Sequence, residues 1–297
     1  MVTKTPSNNN KECNMTNIIA CIDGSSLSEC VTTASVWAAK QMGSPLILMH
    51  SLEKEAVRTD EDLSGSIGLG SREHLLEELV ALDAKRAKLA LEHGKLVLEN
   101  AKEFAHKAGA KQIELLQRHG DLVDNLLDLE EESRLIVLGR CGSGHTQSAH
   151  TIGSHIERVA RTLHRPILIS VGKFKAPTNF MIAYDGREAA DNAIARIAQS
   201  PLLLGLPCHL VMAGEATPER RAKLEEAHQR LEEEGFDVTA SIIPGKIYPV
   251  LTQYREENQI ELMAMGAYAH SKVHQFFVGS NTSKMIIESD IPLLILR

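Results

Sequence analysis

The chain has 297 residues, of which 43% are hydrophobic and 24% charged, and its formal net charge is -7. This length suits two domains, each large enough to bury its own core. The acidic balance argues against a surface built for nucleic acid or for an anionic membrane, and the apolar runs are too short to span a bilayer.

The cysteines and the first residues of the chain favour a cytoplasmic location. Five cysteines without a CxxC pair are typical of reduced thiols. Residues 1–15 lack the apolar core of a secretory signal, and their polar composition predicts a disordered tail.

The first half of the chain predicts strands that alternate with helices. The strands are short apolar runs of the kind that a parallel sheet covers on both faces. Five strands are predicted, at 17–22, 45–50, 113–116, 135–138 and 166–171, and shorter helices at 28–41, 122–130 and 154–163. The first strand, helix and strand form a βαβ unit, for which a right-handed crossover is expected.

A long helical pattern separates the second predicted strand from the third. It runs from about Arg72 to Lys107, inside an insertion at about 54–108, and the pair His93-Gly94 predicts a break. Its leucines form an apolar face that is longer than one small domain needs. We expect two consecutive helices, one that covers the sheet and one that packs on the other half; the alternative is a partner-binding or lid role.

The same order of elements returns after a linker at 172–178. Strands are predicted at 180–184, 208–212, 238–243, 261–265 and 292–296, and helices at 187–199, 218–234 and 249–258. Because order, glycines and acids agree, the sequence predicts an internal duplication with one α/β domain at 16–171 and another at 179–297.

Acids and glycine-rich loops follow equivalent strands in the two halves. Asp23 and Asp185 end the first strand of each half, and Gly139 and Gly266 open the loops after the fourth strands. In an open parallel sheet the ligand lies beyond these carboxyl ends. A carboxylate there can accept hydrogen bonds from a ribose hydroxyl or an amide, while backbone N–H groups of the loop and of the next helix attract phosphates.

A serine stands at the predicted helix start after each glycine-rich loop. These serines are Ser154 and Ser280. Each hydroxyl can bond a phosphate or cap its own helix, and the sequence leaves both roles open.

Taken together, these motifs resemble a tandem universal stress protein, with two domains of that family from Thr16 to Arg297. The ATP-binding members share the pattern Gly-x2-Gly-x9-Gly-Ser/Thr after the fourth strand and an Asp after the first. The resemblance implies two Rossmann-like domains, each an open five-stranded parallel sheet of order 3-2-1-4-5 with helices on both faces. It also implies pairing through the fifth strands, which a tandem chain satisfies internally as a pseudo-dimer.

The resemblance further implies ATP or a related adenine nucleotide as ligand, with or without Mg. The residue that ends the second strand contacts the adenine through its backbone. The implied nucleotide-binding residues are Asp23, Ser51, Gly139, Gly142, Gly153 and Ser154 in the first half, and Asp185, Ala213, Gly266, Gly279, Ser280 and Asn281 in the second. The implied role is stress-response regulation through protein contacts, without enzymatic activity beyond slow ATP hydrolysis.

Each copy of the pattern departs from the family spacing at one point. In the first half ten residues separate Gly142 from Gly153, one more than the family has. The second half has Ala269 in place of the second glycine, and an alanine with positive φ costs on the order of 1–2 kcal/mol. We therefore expect binding in at least one half and favour the first.

Other functions have weaker support in the sequence. Neither a P-loop nor a GxGxxG motif is present. We expect surface histidines rather than a zinc site at His145, His150, His155, His270 and His274. The main alternative is a scaffold or dimerisation protein that works through its helical insertion, and a homodimer is left open. An adenylyl transferase or ATP pyrophosphatase would need a catalytic signature that Asp23-Gly24-Ser25 does not supply.

Overall fold

The computed structural model describes residues 17–52, 69–140, 154–266 and 281–297. The predicted tail and both glycine-rich loops lie outside these ranges. The same holds for Gly142, Gly153, Gly279 and Ser280 among the implied binding residues. Four of the five loop histidines, at 145, 150, 270 and 274, also lie outside them.

Ten strands of the described chain form one sheet, in the order β3-β2-β1-β4-β5-β10-β9-β6-β7-β8. The strands are β1 (Asn17–Cys21), β2 (Leu46–Leu52), β3 (Ile113–His119), β4 (Ser133–Gly139), β5 (Ile167–Ser170), β6 (Phe180–Ala183), β7 (Cys208–Ala213), β8 (Val238–Ile243), β9 (Met263–Gly266) and β10 (Leu293–Leu296). Each half is parallel and has the order 3-2-1-4-5, which confirms the predicted doubly wound α/β architecture.

Helices cover both faces of this sheet. They are α1 (Ser28–Met42), α2 (Leu69–Lys107), α3 (Leu122–Asp128), α4 (Ser154–Thr162), α5 (Glu188–Ala198), α6 (Pro218–Glu233), α7 (Ile247–Glu257) and α8 (Asn281–Glu288). Successive residues of a strand point to opposite faces, so Ile18 enters the core that includes α1 and α2, and Ile19 the core that includes α3 and α4. Because both faces are covered, the strands are almost continuously apolar.

The two halves meet through their fifth strands. β5 and β10 pair in antiparallel register, with Ile169 opposite Leu293 and Ile167 opposite Ile295. This is the internal pairing that the family resemblance implies, and it joins two five-stranded sheets into one.

Two arginines bind helix ends across this seam. The guanidinium of Arg140, next to Gly139, donates to the carbonyl oxygen of Ile287 at 3.1 Å and to that of Ser289, at the end of α8. In the opposite direction, Arg297 donates to two carbonyl oxygens at the end of α4. The last carbonyls of a helix lack partners within it and carry partial negative charge, so a cationic donor suits them.

The long insertion contains one helix where the sequence predicts two. α2 continues through Gly94, so the predicted break at His93-Gly94 is wrong. A Cβ at this position would lie 2.2 Å from Nε2 of Gln117 and 2.7 Å from Cδ2 of His50. The glycine therefore serves the close packing of α2 on the sheet, and its cost within the helix is only about 1 kcal/mol. No described helix combines the length and apolar composition needed to cross a bilayer.

The two glycines that end the fourth strands differ in their surroundings. A Cβ on Gly266 would lie 2.2 Å from the carbonyl oxygen of Ala189, at the start of α5. On Gly139 the nearest atom would be Cβ of Leu27, at 3.2 Å. Only the second half therefore requires glycine for contact between two backbones.

We predict that Gly266→Ala lowers the free energy of unfolding by about 1–3 kcal/mol, because the helix start must move away from the strand. Urea unfolding of the full chain measures this loss. Gly139→Ala is the matched control and should cost less, since side chains rather than backbone surround it. Equal losses in the two variants would contradict the asymmetry.

We predict that Arg140→Met lowers the free energy of unfolding by roughly 1.5–3 kcal/mol, because the end of α8 loses a charged donor. The same urea titration measures it. Arg230, exposed on α6, provides the control variant Arg230→Met, which should change stability by about 0.5 kcal/mol or less. If Arg140→Met left the free energy of unfolding unchanged, the seam would not depend on this contact.

Candidate functional site

A cleft of about 780 Å³ opens at the carboxyl ends of β6, β7 and β9 in the second half. Three of the sequence-predicted binding residues, Asp185, Ala213 and Gly266, line it together. The volume lies within the range of about 300–1,000 Å³ that is usual for small-molecule sites. The structure thus brings together three predicted residues that lie at or just after the ends of these three strands.

A tight turn fixes the acid at the entrance of this cleft. The backbone N–H of Arg187 donates to Oδ1 of Asp185 at 3.0 Å, and Gly186 between them has a φ of 72°. Gly24 occupies the same place in the first half with a φ of 77°. This left-handed conformation explains why glycine follows the acid in both copies.

Two cations on α6 line the same cleft, and the sequence analysis did not identify them. Nη2 of Arg220 donates to the carbonyl oxygen of Ala213 at 2.7 Å, and Nζ of Lys223 donates to that of Gly186 at 2.5 Å. The available signal was their spacing of three residues, which places them on one side of the helix that follows the second strand.

A tyrosine that lines the cleft already has a hydrogen-bond partner within the protein. The hydroxyl of Tyr184 donates to Oδ1 of Asp191 at 2.6 Å. Burial and this neighbouring carboxylate raise the pKa of Tyr184 above its ordinary value. Its phenol therefore stays protonated and is held as a donor.

The remaining walls of the second-half cleft consist of apolar side chains and the first turn of a helix. Ile247 and Leu251 of α7 and Met285 of α8 provide apolar contacts. Thr282, in the first turn of α8, also lines the cleft. The free N–H groups of a helix start favour anions.

In the first half, Asp23 has the same local geometry as Asp185. Its Oδ1 accepts from the backbone N–H of Ser25 at 2.9 Å and lies 3.3 Å from Oγ of Ser28, which donates to it. Ser51 lies at the end of β2 as predicted, and its hydroxyl accepts from Nδ2 of Asn125 at 3.1 Å.

The helix above the first-half acid nevertheless differs from its counterpart. Cγ2 of Val97 would lie 3.0 Å from a Cβ on Gly24, whereas Lys223 takes that position over Gly186. Three residues earlier, Gly94 corresponds to Arg220. The first half therefore has an apolar side chain and a glycine where the second half has two cations.

α2 is also held tightly against the strand edge of the first half. Nε2 of Gln117 donates to the carbonyl oxygen of Leu91 at 3.2 Å. Nδ1 of the buried His50 lies 2.6 Å from the carbonyl oxygen of Ile22. The bond from Gln117 to Leu91 holds α2 over the first-half strand ends, and the bond of His50 joins β2 to the residue that follows β1.

The helix that follows the first glycine-rich loop is anchored to its neighbour. Arg158 of α4 donates to both carboxylate oxygens of Asp121, at 2.7 and 3.2 Å. Burial raises the pKa of Asp121, but hydrogen bonds from Arg158 and from the N–H groups of Val123 and Asp124 outweigh it, so the net pKa is lowered. The backbone of Ser154 begins α4 as predicted, and that of Asn281, the residue after the predicted helix start at Ser280, begins α8; the side chains of Ser154 and Asn281 lie outside the described part.

Comparison with known proteins gives one consistent family. The model of the universal stress protein family matches the chain twice, at residues 15–170 and 178–297. Universal stress protein Slr1230 of Synechocystis sp. is 33% identical over 287 residues, covering 95% of this chain and all of that protein. Universal stress protein YxiE of Bacillus subtilis is 30% identical over 154 residues, covering 51% of this chain and 96% of its own length.

A solved structure has the same fold over nearly the whole length. A universal stress protein from Archaeoglobus fulgidus has a TM-score of 0.70 at 19% identity, covering 95% of this chain and 98% of that one. Since the family model matches both halves and the Synechocystis relative aligns from end to end, the chain belongs to the universal stress protein family, as a tandem member with two domains.

Proposed function

We propose that the second-half cleft binds ATP or a related adenine nucleotide, and that the occupied protein acts as a stress-response regulator through protein contacts. The observation that carries the proposal is the open cleft in which Asp185, Gly266, Arg220 and Lys223 converge. An acid, a glycine-ended strand and two cations suit a ligand that combines hydroxyls with phosphates.

Each group has a role that follows from its chemistry. Asp185 accepts hydrogen bonds from the ribose hydroxyls. Arg220, fixed at the carbonyl of Ala213, presents a planar cation on which a purine can stack. Lys223, whose Nζ donates to the carbonyl oxygen of Gly186, supplies a point charge for the phosphates, and the start of α8 adds N–H donors.

The geometry favours the second half, whereas the sequence favoured the first. Val97 of the first half offers a phosphate neither charge nor hydrogen bonds, and α2 is fixed over the strand ends. The described first-half residues therefore give an anion less to bind than Arg220 and Lys223 do.

We infer that the nucleotide is bound rather than rapidly consumed. Among the described residues of the cleft there is no histidine or cysteine, and the hydroxyl of Tyr184 is engaged by Asp191. Among the described lining residues, Asp185 and Glu219 are the carboxylates that could act as a general base, and they could instead hold Mg²⁺ beside the phosphates. This supports a ligand-dependent switch with slow turnover at most.

A cytoplasmic location is part of the same proposal. Cys21, Cys30 and Cys208 are free thiols in the described chain. Burial raises the pKa of all three. They are therefore unreactive packing groups, which suits a reducing compartment.

We predict that ATP binds to the full chain and that Asp185→Asn weakens its affinity about tenfold, through loss of a charged acceptor for the ribose. Isothermal titration measures this affinity. Asp23→Asn is the matched control at the equivalent position and should leave it nearly unchanged. Both amides keep an oxygen that can accept the N–H of the turn, so both variants should fold.

Two results would overturn the assignment. Absence of binding heat from the unmodified chain, with ATP at millimolar concentration, would remove the nucleotide function. Loss of affinity in Asp23→Asn but not in Asp185→Asn would move the site to the first half.

A second candidate function rests on the amino-terminal part of α2. Residues 77–90 are exposed all around the helix, so this part projects beyond the sheet. Leu82, Leu89 and Leu96 follow one another at seven-residue intervals and remain 45%, 56% and 65% exposed. Leucines at heptad spacing supply one of the two apolar positions, a or d, that line the seam of a coiled coil.

The charges on this helix favour a second copy of the chain as partner. Acidic Glu77, Glu78 and Asp83 precede basic Lys85, Arg86 and Lys88. A parallel pair would place like charges side by side, whereas an antiparallel pair centred near residue 84 places segment 77–83 of one copy, which holds the acids, alongside segment 85–91 of the other, which holds the bases. We therefore propose antiparallel self-pairing of α2, which would give the protein a scaffold function independent of nucleotide.

We predict that the unmodified chain forms dimers at micromolar concentration and that the double variant Leu82→Glu, Leu89→Glu is monomeric, because charges then lie in the seam. Analytical ultracentrifugation measures the distribution. The control pair Leu127→Glu and Leu204→Glu changes two other exposed leucines and should remain dimeric. A monomeric unmodified chain would eliminate the scaffold function.

A further inference from the structure

A second cavity, of about 230 Å³, lies at the seam between the two halves. The end of α1, the residues that begin β4 and precede β5, the end of α5 with the segment after it, and β10 enclose it. It shares no lining residue with the nucleotide cleft. Neither the proposed nucleotide function nor the self-pairing of α2 uses it.

Three arginines from different elements converge on this cavity. Nη1 of Arg134 donates to the carbonyl oxygen of Met42 at 3.4 Å, and Nε of Arg165 to that of Glu130 at 2.8 Å. Backbone carbonyls thus hold the first two in place. Within the described ranges, no residue gives the guanidinium of Arg196 a hydrogen bond or an ion pair.

Arg165 repels Arg196 in partly buried surroundings. Burial, and then the positive charge of Arg165, lower the pKa of Arg196. No carboxylate contributes an opposing effect on Arg196. Such a cluster is unusual in a chain whose net charge is -7, and an anion placed among the three guanidinium groups would relieve the repulsion.

The rest of the cavity is apolar. Leu135, Ile197, Leu202 and Leu294 are all nearly inaccessible to solvent and face the same space. A bare inorganic ion would leave this surface without contacts. A ligand with an apolar body satisfies both parts of the cavity.

We propose that the seam cavity binds a small organic oxyanion, with its phosphate or carboxylate head among Arg134, Arg165 and Arg196 and a short apolar body on the leucines. Arg134 and Arg165 belong to the first half and Arg196 to the second, so the ligand bridges the two domains. Guanidinium groups bind both kinds of head in a bidentate manner.

Titration of the full chain with four probes tests this proposal. Hexyl phosphate and hexanoate carry both head and body, inorganic phosphate has only the head, and hexanol only the body. We expect the first two to bind at least tenfold more tightly than the last two. The stronger of the first two identifies the head that the site prefers.

Arg196→Met separates a binding role from a structural one. It should weaken the better organic anion at least tenfold. Without ligand its melting temperature should equal or exceed that of the unmodified chain, because the repulsion with Arg165 is gone. Arg230→Met, outside the cavity, should change neither property.

Three outcomes would overturn the proposal. The first is that neither hexyl phosphate nor hexanoate binds, and the second is that Arg196→Met leaves the affinity unchanged. The third is that the organic anion competes with ATP and that Asp185→Asn alters this competition, which would place the anion in the nucleotide cleft. Failure of ATP to bind leaves this test intact, because the two sites share no residue.

Discussion

The antiparallel pairing of β5 with β10 is the constraint on which the molecule depends. Separated, each half would expose the unpaired N–H and C=O groups of an apolar edge strand, which invites aggregation. Paired, the strands are fully buried and the two cores continue across the seam. Because the pairing is antiparallel, the carboxyl ends of the two halves lie at opposite edges of the sheet, and the two acid-glycine turns face apart.

Within this frame, the duplicated helices that follow the second strands have diverged. α6 brings Lys223 over Gly186, whereas α2 brings Val97 over Gly24 and continues for several turns beyond the sheet. The same backbone position therefore presents a cation in one half and an apolar group in the other. The glycine at position 94 allows α2 to lie closer to its strands than Arg220 would allow. As a result, α6 lines a cleft in the second half, whereas the exposed part of α2 projects from the first half.

The sequence predicted the strands because apolar runs and the repeated Asp-Gly pairs, at Asp23-Gly24 and Asp185-Gly186, are local signals, and the sheet order followed from the family resemblance. It could not predict what distant elements bring together. Gly94 suggests a helix break until His50 and Gln117 are seen against it. Arg220 and Lys223 are only part of a charged helix until the cleft is formed, and the three arginines of the seam lie on separate elements. Long-range packing, which no local pattern records, decided each of these cases.

The seam also connects the second-half cleft to the end of β4 in the first half. α8 begins with Thr282 at the second-half cleft and ends where Arg140 of the first half binds its last carbonyls. Arg140 directly follows Gly139, which opens the first-half loop. The described contacts thus run from the second-half cleft along α8 to Arg140 after β4, and the arginine-lined cavity lies beside β5 and β10.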